Sequence, residues 1–137
     1  MATMATPICA FGWKAKEFTL KDGWGNSFRL HDLRGPSGTL VMFICNHCPY
    51  VQAIAPRIAR DALELQKRGI GVVAVMPNDY RRYPEDSPEH MRAFATEQGF
   101  SFPYLVDETQ AVARAYGAVC TPDFFGFNRE MELHYRG

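Results

Sequence analysis

Two short apolar runs, Thr39–Ile44 and Ile70–Met76, constrain this chain more than any other feature. Neither shows the polar alternation of a strand with one wet face, so each reads as a strand covered on both sides. Between them Val51, Ile54, Ala55, Ile58, Ala62 and Leu65 recur at helical spacing. This predicts a helix from about Asn46 to Arg68, ended by Gly69. Two strands joined through a helix need a crossover, which makes them parallel. Pro49 falls in the first turn, where a missing N–H costs little, and Pro56 falls inside, where a kink is expected.

The flanking segments extend this unit. Residues 1–16 show little periodicity and are expected to form a loose N-terminal arm, with one domain over 17–137. Phe18–Leu20 and Ser27–Leu30 flank Asp22-Gly23-Trp24-Gly25-Asn26, an expected β-hairpin. Gly35–Gly38 reads as a loop, and Pro77–Asp86 as a polar, turn-rich segment. Ser87-Pro88-Glu89 has the N-cap, first-turn proline and acid of a helix start, and that helix should end near Gln98-Gly99. A short strand over Pro103–Val106, a short helix over Glu108–Tyr116 closed by Gly117, and two strands, Phe124–Phe127 and Met131–Tyr135, complete the pattern. The alternation predicts an α/β fold: a central mixed sheet with flanking helices, finished by an antiparallel pair.

Composition excludes several classes of partner. Fifteen basic and fifteen acidic residues cancel, so nothing points to a nucleic acid or a charged membrane surface. No uninterrupted apolar stretch is long enough to span a bilayer. Met1–Pro7 lacks a basic n-region and an apolar h-region, which leads to the expectation of a cytoplasmic location.

The four cysteines (Cys9, Cys45, Cys48 and Cys120) are not spaced as a disulfide framework. Cys45-Asn46-His47-Cys48 is a C-x-x-C at a strand-to-helix junction, a position suited to redox chemistry. A bond between these sulfurs closes so short a loop that it is worth only about 2 kcal/mol, a weak staple but an easily cycled switch. If Cys45 is the N-cap, it faces unpaired N–H groups and the positive end of the helix dipole. Cys45 is then expected to be the exposed attacking thiol and Cys48 the resolving thiol one turn inward. A protonated His47 beside them should make the couple more oxidising. Cys45, His47, Cys48 and Cys120 are also soft-metal donors, but a second ligand pair at motif spacing is absent, so no metal is expected. Cys9 reads as an incidental exposed thiol, and Cys120 either as a third redox thiol or as a small buried residue.

Far along the chain, Cys120-Thr121-Pro122-Asp123 directly precedes the strand at Phe124. Together with the C-x-x-C, this resembles the thioredoxin superfamily. The resemblance implies a thioredoxin-like fold in which Pro122 is cis, lies against the C-x-x-C and presents backbone to an incoming peptide or thiol. Thr121 then helps to set the redox properties. More narrowly, Cys45–Val51 and Cys120–Phe125 are similar to the peroxiredoxin-like proteins of the redoxin (AhpC/TSA) family, a likeness running over about residues 17–136. By that likeness the peroxidatic cysteine aligns with Cys48, the family's preceding threonine position is Cys45, and Cys120-Thr121-Pro122 occupies the region of its activating arginine. Thioredoxins place a tryptophan before the first cysteine and a carboxylate in the preceding strand; here Ile44 and the apolar run Thr39–Ile44 stand there. Proton transfer therefore needs another group, and His47 and Asp123 are the candidates. Relatives also carry a further C-terminal helix over one sheet face. This chain stops at Gly137 after its last strand, so an exposed apolar patch is expected, with a homodimer through that face as one way to cover it.

These readings lead to a thiol-disulfide oxidoreductase that cycles a Cys45–Cys48 disulfide in cell redox homeostasis. Cys45, Cys48, His47, Thr121, Pro122 and Cys120 form its site, without a cofactor. Its partners would be protein or small-molecule disulfides and thiols. The alternatives are a thiol-dependent peroxidase acting on peroxides, and a non-enzymatic redox-sensing or metal-binding module.

Overall fold

A computed structural model describes residues 11–137; Cys9 lies outside the described residues. The elements follow in the order β1 (Thr19–Asp22), β2 (Ser27–Arg29), α1 (Leu30–Leu33), β3 (Gly38–Phe43), α2 (Pro49–Lys67) and β4 (Ile70–Met76). A 3₁₀ turn at Pro84–Asp86 then leads into α3 (Pro88–Gln98), β5 (Tyr104–Val106), α4 (Ala111–Tyr116), β6 (Asp123–Phe127) and β7 (Leu133–Arg136). The seven strands form one mixed sheet in the order β2-β1-β5-β4-β3-β6-β7. The central strands β3, β4 and β5 are parallel, and β1, β6 and β7 join antiparallel to their neighbours.

The two apolar runs sit at the centre of the sheet because both of their faces are covered. Met42, Val72, Ala74 and Met76 face α2 and α3, where Val51, Ala55, Ile58, Met91 and Phe94 meet them. Val41, Phe43, Val73 and Val75 face the opposite side together with Phe125 and Phe127 of β6, and Ala113 and Tyr116 of α4 pack against them. The hairpin turn is held by Asp22, whose Oδ1 accepts from the backbone N–H of Trp24 at 3.0 Å and of Asn26 at 2.9 Å. Ser87 caps α3 by accepting from the His90 N–H at 3.3 Å, and Gly99 closes that helix in the left-handed conformation, at φ 68°.

Three sequence expectations change. Residues 11–16 are not loose: the Leu133 N–H donates to the Trp13 carbonyl at 2.7 Å, and the Lys14 backbone forms an isolated antiparallel β-bridge with Glu132. The Trp13 ring stacks on Phe127 at 5.9 Å and meets Tyr116 edge-on at 5.3 Å, so apolar burial holds the segment down. α1, a single turn after the hairpin, has no periodicity long enough to read in sequence. Helix α2 starts at Pro49 rather than Asn46, with Pro56 inside it as expected. Its N-cap is therefore Cys48, not Cys45, because the residue before a proline is pushed out of the helical region; Cys48 sits at φ −68° and ψ 122°.

A groove of about 480 Å³ lies between α2 and the β3–β6 pair. Leu40, Met42, Ile54, Ile58, Leu65 and Phe124 line it, and Tyr135 at its edge is 56% exposed.

Candidate active site

β3 delivers Phe43 and Ile44 into the core, and the chain then leaves the sheet with Cys45 still buried, at 1% exposure. Asn46 is buried as well, while His47 and Cys48 are half-buried and Pro49 and Tyr50 are exposed. The expectation of an exposed Cys45 with Cys48 behind it is therefore reversed. The physical reason is the later helix start: Cys45 belongs to the end of the strand, and Cys48 takes the terminal position on α2. Both are free thiols. Cys48 lies where orphan backbone N–H groups and the helix dipole favour negative charge.

The Thr121–Pro122 peptide is cis, in agreement with the resemblance. Thr121 touches both sulfurs. Its Oγ1 is 3.5 Å from Cys45 Sγ, and its carbonyl oxygen accepts from the Cys48 thiol at 3.5 Å. Burial pushes the Cys45 thiol up from its ordinary value of 9.0, and the Asp86 carboxylate pushes the same way. Hydrogen bonds from the Thr121 side chain and the Cys48 backbone pull against them.

Sequence reading missed Asp86. It lies in the 3₁₀ turn after β4, is 0% exposed, and reaches under the C-x-x-C. Its Oδ1 accepts from the Asn46 backbone N–H at 2.8 Å and its Oδ2 from Asn78 Nδ2 at 2.9 Å. The same Oδ2 is 2.5 Å from the buried Nδ1 of His47. The His47 ring stacks on Tyr83, with centroids 5.6 Å apart and planes 13° from parallel. Asn46 is pinned further by Tyr104, whose hydroxyl donates to Asn46 Oδ1 at 2.8 Å, and by its own Nδ2, which donates to the Glu85 carbonyl at 2.9 Å. Burial holds the Tyr104 hydroxyl well above its ordinary 10.0, so it stays a neutral donor. A buried carboxylate thus does stand behind the cysteines, although no residue of the preceding strand supplies it.

Asp123, the other proton-transfer candidate, has a different task. Its carboxylate accepts from the Val119 N–H at 3.2 Å and pairs with the buried Arg136 at 3.0 Å, which also donates to the Gly117 carbonyl at 2.7 Å. Asp123 therefore holds the loop that carries Thr121–Pro122 in place. Cys120 lies on that loop, and its thiol donates to the Pro122 carbonyl at 3.6 Å. A groove of about 340 Å³ runs along the loop, lined by Tyr50, Ala53, Ile54, Cys120, Thr121 and Pro122 and almost wholly apolar. A larger cavity of about 630 Å³, between β1 and α4, touches none of the sulfurs. The site thus gathers Cys45, Cys48, His47, Thr121 and Pro122 with Asp86, and sets Cys120 on the rim of the groove. Proline at the first position of α2 was the local signal that Cys48 is the N-cap; Asp86 carried no such signal.

The chain matches the AhpC/TSA family over residues 11–136. Thiol-disulfide oxidoreductase ResA of Halalkalibacterium halodurans is 29% identical over 122 residues, which cover 89% of this chain and 65% of that protein. A Mycobacterium tuberculosis protein provisionally named a peroxiredoxin is 31% identical over 84% of this chain and 68% of its own length. The chain thus spans about two thirds of the length of these two relatives. An uncharacterized conserved protein from Geobacillus kaustophilus is 44% identical and superposes with a TM-score of 0.92 over 98% of this chain and 74% of that one. More distant solved structures, among them a thioredoxin domain at 20% identity and a TM-score of 0.77, share the thioredoxin-like fold.

Proposed function

The chain belongs to the AhpC/TSA family, and on that premise we propose that it is a thiol-disulfide oxidoreductase in which Cys48 attacks and Cys45 resolves. One observation carries the reading: a half-buried Cys48 at the N-cap of α2 is backed by a buried Cys45, and Thr121 touches both sulfurs. A substrate disulfide enters along the apolar groove beside Pro122. The Cys48 thiolate attacks one of its sulfurs, forming a mixed disulfide and releasing the other sulfur as a thiolate. Cys45 then loses its proton and attacks the Cys48 sulfur. The internal disulfide forms, the second substrate sulfur leaves as a thiolate, and two electrons have passed to the substrate. A dithiol reductant returns the pair to the reduced state.

The Cys45 proton needs an acceptor, since burial holds that thiol in its neutral form. His47 Nδ1 and the Asp86 carboxylate both lie within 4.8 Å of the sulfur, close enough for transfer directly or through one water. The test is trapping of the intermediate on an oxidised protein substrate such as insulin. Cys45→Ser should accumulate a mixed disulfide through Cys48, visible as an intact-mass adduct, and Cys48→Ser should form none. An adduct on Cys48→Ser, or full turnover by Cys45→Ser, overturns the assignment of roles.

A second reading is favoured by the position of Cys48, which the family resemblance aligns with the peroxidatic cysteine. A hydroperoxide oxidises the Cys48 thiolate to a sulfenic acid and leaves as an alcohol. Condensation with the Cys45 thiol then forms the disulfide and releases water. Peroxide consumption that needs Cys48, Cys45 and a dithiol donor supports it; disulfide reduction without peroxide consumption removes it. Two further proposals accompany these readings. A homodimer through the apolar groove between α2 and β6 is supported by the exposed Tyr135 and the lining of that groove, and concentration-dependent light scattering tests it. A cytoplasmic location is supported by four cysteines without a disulfide framework, and cell fractionation tests it.

A further inference from the structure

Three donor atoms of different chemistry converge beneath the C-x-x-C. Cys45 Sγ, His47 Nδ1 and a carboxylate oxygen of Asp86 all lie within 4.8 Å of one another. The imidazole nitrogen is the informative one. It is buried and only 2.5 Å from Asp86 Oδ2, yet no hydrogen bond satisfies it. An imidazole nitrogen and a carboxylate oxygen this close repel each other unless a proton or a cation lies between them. From this geometry we infer that Cys45, His47 and Asp86 form a site for a borderline-soft divalent cation of the Zn²⁺ class in the reduced protein.

The chemistry of the set selects the cation. A thiolate and an imidazole exclude hard ions such as Mg²⁺ and Ca²⁺, and one sulfur, one nitrogen and one oxygen suit Zn²⁺ or Co²⁺. Tetrahedral Zn²⁺ with such donors spaces them about 3.3–3.6 Å apart, so closing the site needs adjustments of about 1 Å. Surrounding groups already orient the donors. The Asn46 N–H and Asn78 Nδ2 hold the Asp86 carboxylate, the Tyr83 ring holds the His47 plane, and Thr121 Oγ1 contacts the Cys45 sulfur. The Cys45 and Asp86 donors and the His47 Nδ1 are buried, and the rest of the His47 side chain, 36% exposed, is where the site meets solvent. Three protein donors leave a fourth position for water.

Binding releases the Cys45 proton and holds that sulfur as a metal thiolate. The ion and the internal disulfide therefore exclude each other: oxidation of Cys45 removes the sulfur ligand and expels the cation. Metal binding itself does not depend on the exchange reading.

Co²⁺ is the probe, titrated without oxygen into the reduced full chain and then displaced by Zn²⁺. The expected result is one equivalent of tightly bound Co²⁺ with a thiolate-to-metal charge-transfer band and tetrahedral visible bands. That spectrum should be lost in Cys45→Ser and in the oxidised protein, and kept in Cys48→Ser. His47→Ala, at a half-exposed position, should weaken binding at least tenfold, and Asp86→Asn should do the same wherever its circular dichroism shows a folded chain. No thiolate band in the wild type, a band that depends on Cys48 instead of Cys45, or unchanged binding in His47→Ala overturns the inference. Disulfide reduction by the metal-free wild type is measured alongside, so failure of this site leaves the exchange chemistry separately tested.

Discussion

Asp86 orients two neighbours of the reactive sulfurs at once: it receives the Asn46 N–H and sits against the His47 ring nitrogen. Asp86→Asn keeps the shape of the side chain and removes its charge. If the His47–Asp86 pair accepts the Cys45 proton, resolution should slow by about 10²-fold, in the range of a lost general base. The attack by Cys48 should change little. Rapid quenching followed by mass analysis separates the two steps, and equal slowing of both would remove the pair from the resolving step. Asp86 was illegible in the sequence because it stands in a polar, turn-rich stretch with no periodicity, forty residues from the backbone group that it holds. Cys45, His47 and Cys48 were legible because the spacing and the strand-to-helix position are local, and Thr121 and Pro122 through the resemblance to the thioredoxin superfamily. The order of the two sulfurs was misread, although Pro49 pointed to Cys48 as the N-cap.

Asp107 shows the same economy at the scale of elements. It follows β5, is buried, and turns its carboxylate onto the start of α4, accepting from the Val112 N–H at 3.2 Å and the Ala113 N–H at 2.8 Å. Burial pushes this carboxyl up from its ordinary 3.8, against the pull of those N–H groups. The folded protein therefore keeps the proton to a higher pH than the unfolded chain does. Its contribution to stability is fully present below 3.8 and is lost as the pH rises through the folded value. Asp107→Asn should flatten the pH dependence of the urea midpoint in that window, and an unchanged slope would remove Asp107 as its source. Most elements were visible in sequence because an apolar period or a cap announces each of them: Ser87 and Gly99 bound α3, and two apolar runs became β3 and β4. The single turn of α1 was not visible, since four residues are too few to show a period.

The last strand is tied to the reactive loop across the whole molecule. Arg136 of β7 pairs with Asp123, donates to Gly117, and lays its guanidinium over Phe125 at 4.6 Å. Both members of the ion pair are buried, so Arg136→Ala strands a carboxylate at the base of the loop carrying Thr121 and Pro122. The expected cost is about 3 kcal/mol, measured as a drop in the urea midpoint, with slower disulfide exchange at temperatures where the variant remains folded. Normal exchange alongside the full stability loss would uncouple the loop from the strand. Short-range periods and turn residues were enough to give the alternation of strands and helices and the two central strands, while the meeting of the C-x-x-C with Thr121-Pro122 was implied only by the resemblance to the thioredoxin superfamily. It took the folded molecule to show that Cys48 is the more accessible sulfur, which carboxylate stands behind the pair, and that Asp123 serves the loop instead of the thiols. Burial and long-range contact arise when distant segments pack together, and no local pattern encodes them.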